Sequence, residues 1–235
     1  MAAKTFALSS IGNVTVSKRR NSRRINLSIS PSGKVRVSIP YWMPYKTGID
    51  FAKNQQNWIL KKLPKQKLFL PNQNINKTHK LLFIPDEAVI KPNAKIVGSN
   101  ILINHPPFLD VSDPMIQKSA QSGIIKVLSK QAEMSLPDRI EYLSSYFNLP
   151  YSNLKIKKLS RRWGSCDINK SITLNLFLVQ LPDELIDYVI CHELTHTKVL
   201  NHSPQFWQSL ETILPNYKQL KNKMKSYTPD IIISL

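Results

Sequence analysis

Residues 192–202 read His192-Glu193-Leu194-Thr195-His196-Thr197-Lys198-Val199-Leu200-Asn201-His202. Three of the chain's five histidines and one of its six glutamates fall in these eleven positions. At that composition an H-E-x-x-H arrangement arises by chance about 0.003 times in a chain of this length, so the pattern demands a chemical reading. On a helix, residues i and i+4 share a face, one turn apart. His192 and His196 can then aim imidazole nitrogens at one ion. Glu193 lies about 100° further round the helix, where it reaches a water on that ion without ligating the ion itself. His192 and His196 are candidate metal ligands, and Glu193 is the candidate general base.

A catalytic zinc takes three protein ligands, one more than the pair supplies. His202, six residues beyond His196, is the leading candidate. That offset occurs in the metzincin pattern, whose helix-breaking glycine, three residues after the second histidine, is replaced here by Val199. Asn201, which tolerates a left-handed backbone, is the candidate helix terminator instead. Glu211, one helix later, is the rival third ligand. With His202 in place, it becomes a candidate for orienting an imidazole. Three nitrogen ligands suit Zn2+ better than Mg2+. His79 and His105 have no partner at metal spacing and read as ordinary loop or strand residues.

Several elements must hold this segment in place. Residues 182–199 read as its helix, with Pro182 at the first position and Asp183 and Glu184 at the positive end of the dipole. Helices are also expected over 204–214, ended by Pro215, and over 216–226. Upstream, Ile116, Ala120, Ile124, Val127 and Leu128 give 115–134 a helical period, and 137–148 extend the helical region from Pro137. Residues 154–158 and 171–174 read as strands around a turn near 167–170. Further upstream, Ile25, Leu27 and Ile29 alternate with polar residues, as do Val35, Val37 and Ile39. The turn Pro31-Ser32-Gly33-Lys34 joins them as a hairpin. A helix over 46–63 stops at Pro64, a loop follows over 64–77, and short strands are expected near 81–84, 88–91 and 100–103. The fold class is α+β: a β-rich N-terminal region with one helix over residues 1–110, then a helical and mixed region, 111–235, that carries the motif.

Composition narrows the partners. The apolar fraction of 42% is that of a globular chain. No apolar run is long enough to span a bilayer, and residues 1–11 lack the sustained apolar stretch of a signal peptide. No membrane association is expected, and the expected compartment is the cytoplasm. Cys166 and Cys191 form no Cys-x-x-Cys pair and read as small buried residues beside the motif. The net charge is +18, and residues 1–49 hold nine Lys or Arg and no acid. A second basic cluster comprises Lys155, Lys157, Lys158, Arg161 and Arg162. Such an excess attracts nucleic acid, nucleotides or acidic protein surfaces. A lysine-rich, solvated surface accounts for it equally well.

The pattern extends beyond the histidines. It includes Arg162-Trp163-Gly164-Ser165-Cys166, Ile172 to Asn175, Pro182, Ile186-Asp187-Tyr188-Val189, Asn201-His202-Ser203 and Phe206-Trp207. Together these closely resemble the YgjP-like metal-dependent hydrolases, also called the DUF45 or M48-related metallopeptidase family. The resemblance is strongest over residues 154–217, and Arg19–Arg24, the hairpin and Trp58 extend it toward the N-terminus. It implies a zincin-like catalytic core over 111–235, a small sheet on the active-site helix, with zinc held by His192, His196 and His202 and Glu193 as acid/base.

In such folds a strand edge beside the cleft pairs with extended substrate. Gly164 would permit close backbone approach, and Arg162 would bind a carboxylate or phosphate bidentately. Both are candidate substrate-binding residues, whereas Trp163, Cys166, Phe206 and Trp207 read as packing residues. Tyr188 and Tyr217 are candidate oxyanion donors, with nothing to choose between that and packing. The expected function is zinc-dependent peptide hydrolysis through a zinc-activated water, acting on peptide or protein that is acidic or nucleic-acid-associated. One alternative is a metal-dependent pyrophosphatase acting on nucleotides such as UTP, with Mg2+ as its ion. Another is a nucleic-acid-associated protein with a zinc site. Oligomeric state is not legible.

Overall fold

The computed structural model describes residues 3–30, 33–63, 68–76 and 78–231. The chain divides into two compact units, Met1–Gln66 and Lys67–Leu235. On sequence the boundary stood near residue 110. The strands between 67 and 110 belong to the second unit because their apolar faces bury against its long helix.

In the first unit, strands β1 (Ala3–Leu8), β2 (Gly12–Arg19), β3 (Asn26–Ile29) and β4 (Val35–Pro40) form a sheet of order β1-β2-β4-β3. The period-two pattern predicted for β3 and β4 appears as an antiparallel pair with Leu27 opposite Val37. Pro31 and Ser32 of the predicted turn lie outside the described residues; Gly33 takes φ 76°. Val14, Val16, Val35, Val37 and Ile39 put one face of the sheet into a core shared with Ala52 and Ile59. Those two sit on helices α1 (Tyr45–Asn54) and α2 (Gln56–Lys62). One helix was expected here; Gln55, at φ −95° and ψ 14°, separates two. Pro64 lies outside the described residues.

The second unit has two sheets. Strands β5 (Gln73–Asn74), β6 (Lys80–Pro85), β7 (Asn93–Val97) and β8 (Asn100–His105) run in the order β5-β6-β8-β7. The strand expected at 88–91 is a turn instead, because the Asp86 side chain accepts the Ala88 N–H at 2.9 Å and draws the backbone into a local bend. Strands β9 (Asn153–Lys157), β10 (Gly164–Cys166) and β11 (Ser171–Asn175) run in the order β10-β11-β9, with β9 parallel and β10 antiparallel to β11.

Between β8 and β9 runs α3, Pro114–Phe147, a single helix of 34 residues. Asp113 caps it by accepting the Met115 N–H at 2.7 Å, Pro114 occupies its first turn, and left-handed Asn148 ends it. Sequence placed Pro137 near the start of a second helical stretch; it lies inside this one. An internal proline costs about 3 kcal/mol. Burial of a Leu or Ile contributes about 1.5–3 kcal/mol each, so Leu136, Ile140 and Leu143, at 8% exposure or less, carry the helix past it. α3 packs on β7, β8, β9 and the following α4 (Asp183–Thr195), and so ties both sheets to the motif helix. Beyond α4 come α5 (Pro204–Ile213) and α6 (Tyr217–Met224), close to their predicted spans.

α3 crosses the β5-β6-β8-β7 sheet at Gly123. A Cβ there would lie 2.9 Å from both Ala94 Cβ and Ile101 Cγ2, and Ile101 is fully buried. Gly123→Ala is expected to destabilise the protein by about 1–3 kcal/mol through overpacking, despite alanine's higher helix propensity. Denaturant unfolding measures it, and an unchanged midpoint would show that α3 stands further from the sheet.

Candidate metal centre

α4 is buried along most of its length, with Leu185, Ile190 and Leu194 inaccessible to solvent. Two charged contacts set its position. Arg139 of α3 donates from Nη1 to Asp183 Oδ1 at 2.9 Å and from Nε to Asp187 Oδ1 at 2.5 Å, and Lys223 of α6 pairs with Glu184. Pro182 is the N-cap and not the first helical residue. The helix was expected to reach 199 but ends at Thr195. Thr195 Oγ1 donates to the Cys191 carbonyl at 2.7 Å and Thr197 Oγ1 to that of Leu194 at 2.8 Å; threonines that bond back to the preceding turn satisfy its carbonyls without further helix. Asn201 is not the terminator: the left-handed non-glycine residues described are Asn72, Asn148 and Lys170. Asn201 Oδ1 instead accepts the Ser203 N–H at 3.2 Å, in the turn that carries His202.

This ending brings the three histidines together. His202 Nε2 lies 3.0 Å from His192 Nε2 and 3.2 Å from His196 Nε2. Among the described residues these three histidines form the one cluster of potential metal ligands. Glu211 is not part of it; its carboxylate pairs with Lys218 at 2.9 Å.

The donor set fits a small divalent cation. His196 Nδ1 lies 3.0 Å from the Val199 carbonyl. A carbonyl can only accept, so Nδ1 carries the hydrogen and Nε2 presents its lone pair to the cluster. His192 is pushed down to about 3, chiefly by burial and then by His196, His202 and Lys221. Burial likewise lowers His196, against the Val199 carbonyl. Neutral imidazole is the form that binds metal. At Zn–N distances of ~2.0–2.1 Å, nitrogens at the corners of a tetrahedron stand about 3.3–3.4 Å apart, close to the spacing here.

His202 lies outside any helix and is held from α5. Trp207 stacks on its ring at 5.5 Å and donates from Nε1 to the His202 carbonyl at 3.2 Å. Trp207 is itself stacked on Tyr217 at 5.6 Å, with Lys221 Nζ 3.7 Å from its ring centroid. Phe206 is fully buried and touches all three imidazoles, at 4.4 to 4.9 Å between ring centroids. Sequence read both aromatics as packing. Phe206 is that, whereas Trp207 also fixes a backbone group of His202. Its offset of five residues, in the first turns of a helix that follows the histidine, was the available signal. The Val199 carbonyl had no signal, since every residue has one.

Glu193 is 6% exposed and packs on β10. A Cβ at Gly164 would lie 2.7 Å from its Cγ and its Oε1. The close approach that Gly164 permits is thus made by Glu193. Burial pushes the Glu193 carboxyl up to about 8, opposed by the exposed Arg162 guanidinium and by the Cys166 backbone N–H. Cys166, from the same strand, is raised to about 11 by burial and then by Glu193. Tyr188, one turn before His192, is raised to about 12 by burial and then by Glu193.

Three imidazoles converging beside a buried carboxylate are the equipment of a metal-dependent hydrolase. The chain belongs to the YgjP-like family: the model of the YgjP-like metallopeptidase domain matches residues 23–227. No curated protein matches it. Among solved structures it is similar to the metallopeptidase zymogen of Pyrococcus abyssi abylysin, 22% identical, over 41% of this chain and 98% of that one, with a TM-score of 0.36. It is also similar to the zymogen of Methanocaldococcus jannaschii jannalysin, 25% identical, over 39% of this chain and 95% of that one, with a TM-score of 0.36. No helix among the described residues is long and apolar enough to cross a membrane.

Two outcomes are expected. Gly164→Ala removes the space Glu193 occupies; hydrolysis that depends on this candidate base should fall at least about tenfold, while metal binding is kept. A variant as active as the parent would show that Glu193 does not need its place on β10. In chelator-treated protein, the raised Glu193 value means stability that is full below about pH 4.5 and is lost as pH rises toward 8. Unfolding free energy should therefore fall between pH 5 and 9 by a few kcal/mol more in the parent than in Glu193→Gln. Comparison of the two proteins cancels the opposite contribution of His192, whose loss comes on acidification. Parallel pH curves would rule out a buried, titrating Glu193.

Proposed function

We propose that this chain is a zinc-dependent peptidase of zincin-like arrangement, with His192, His196 and His202 as ligands and Glu193 as general base. The observation that carries the reading is the convergence of three Nε2 atoms, with that of His202 3.0 and 3.2 Å from the other two, at the end of a helix whose next residue after His192 is the buried Glu193. A bound zinc supplies Lewis-acid polarisation of a carbonyl and lowers the pKa of a water. The chain's own residues supply the rest. Glu193, raised toward neutral pH, suits a group that takes a proton at its carboxylate and returns it to a leaving amine. The Cys166 N–H and Arg162 stabilise its charged form between those events. β10 ends its sheet, paired with β11 on one side, so its other edge is available to an extended peptide. Exposed Arg162, two residues ahead of Gly164, suits a substrate carboxylate.

The test is hydrolysis of casein and of UTP by zinc-loaded, chelated and magnesium-supplemented protein, each beside Glu193→Gln. Casein cleavage is expected with zinc only, and it should fall by about 10²–10⁴-fold in Glu193→Gln. UTP hydrolysis that requires magnesium and Glu193, with casein intact, would replace the peptidase with a pyrophosphatase. Casein cleavage undiminished in Glu193→Gln would remove Glu193 from its role.

A further inference from the structure

All residues of the candidate metal centre belong to the second unit, whereas the charge is concentrated in the first. Residues 1–66 hold 13 of the 33 Lys and Arg and one of the 15 acids, Asp50. The ion pairs found among the described residues all lie in the other unit. The sheet of the first unit shows where part of this basic charge goes. One face is the apolar core. Lys4 and Lys18, on the parity of that face, stand over the Tyr45 ring at 5.2 and 5.1 Å.

The opposite face carries mostly small polar and basic side chains, with Ala3, Ala7 and Pro40 among them. Strand registers put Thr5, Thr15, Arg36 and Ser28 in one row across all four strands, and Ser17 and Ser38 side by side in the next. The hydroxyls meet across the strands, Thr5 to Thr15 at 3.2 Å and Ser17 to Ser38 at 3.3 Å. Thr5, Ser28 and Arg36 are exposed. Exposed Lys34, just before β4, continues the parity of Arg36, and Arg19 ends β2 on the same parity. No position of this face in the four strands holds an acid or an aromatic ring, and buried Pro40, opposite Arg19 at the end of β4, is its one aliphatic side chain larger than alanine.

We propose that this face binds the phosphate backbone of nucleic acid without reading its sequence. Arg, Lys, Ser, Thr and Asn side chains are those that contact phosphate oxygens, and here they replace the apolar residues that usually anchor a protein partner. Small side chains let a long, evenly charged backbone lie across several strands. The missing aromatic ring removes the stacking platform that single strands use, so the face suits duplex in preference to single strands. The proposal goes beyond the hydrolytic reading and does not depend on it.

The test measures fluorescence anisotropy of a labelled 20-bp duplex of random sequence with the full-length protein, at salt from about 50 to 200 mM. Lys34→Gln/Arg36→Gln is compared with Lys118→Gln/Lys126→Gln, an equal charge change at exposed sites on α3. The first pair should weaken binding at least about tenfold at low salt and reduce the slope of log K on log salt by about 2, one per charge removed. The α3 pair should stay within about twofold of the parent. Absence of duplex binding at the lowest salt overturns the proposal, as does equal loss in both pairs, which would reduce the effect to net charge. A labelled polyglutamate bound as tightly as the duplex, and lost in the Lys34/Arg36 variant, would make this a docking face for acidic protein instead. Casein cleavage in the same preparations reports separately on the metal centre.

Discussion

The contact between Glu193 and Gly164 is the constraint around which the second unit is arranged. A carboxyl on a buried helix faces a desolvation cost, and here it is met by a strand close enough to offer a backbone N–H. That closeness exists only because residue 164 has no Cβ. It also depends on register. β10 is three residues long, antiparallel to β11, with Gly164 opposite Leu174. A slip of one residue would exchange the faces of Gly164 and Ser165 and put a side chain where Glu193 lies. β11 is in turn fixed by its parallel pairing with β9 and by burial of Ile172 and Leu174.

The helix on the other side of this contact is fixed with equal care and by different means. Hydrophobic burial supplies most of the free energy that docks α4. The Arg139 and Lys223 pairs are partly exposed and, by the usual behaviour of such pairs, contribute little to stability. Their consequence is geometric. Arg139 bonds to two carboxylates one turn apart on α4, which sets the axial position of that helix against α3. The histidines at the far end then fall where α5 can complete the cluster. His202 is carried by a turn, and Trp207 stacks on its ring while bonding its carbonyl, so a residue outside regular structure is positioned by two contacts from α5.

Two kinds of electrostatics coexist in the chain. In the second unit burial makes the charges local: it keeps His192 and His196 neutral and raises Glu193, while Arg162 and the Cys166 N–H temper the effect. Among the described residues of the first unit the basic side chains are numerous, mostly exposed and form no ion pair, and their field extends into solvent. This contrast accounts for a net charge of +18 in a chain whose candidate catalytic chemistry uses few ionic groups.

The sequence by itself determined the candidate ligands, the candidate base, the family and most elements. Those features are local: H-E-x-x-H needs only the period of one helix, and the strands of the first unit follow period-two alternation. His202 was also within reach, since six residues span one turn beyond a helix end. Tertiary structure decided what depends on distant partners. Pro137 lies inside a helix because core contacts on both sides outweigh its cost. Residues 88–91 bend because Asp86 captures the backbone, a competition alternation does not reveal. α4 stops at Thr195 because hydroxyls and an imidazole take up the groups that would have continued it. Gly164 faces Glu193 through a pairing between segments some thirty residues apart, and Glu211 points to Lys218 rather than to the histidines. For Pro137 and Gly164 the deciding free energy comes from groups remote in sequence, which no window of neighbouring residues contains; Asp86, the threonines and Lys218 act over two to seven residues, and the folded backbone decides which of these competing local bonds forms.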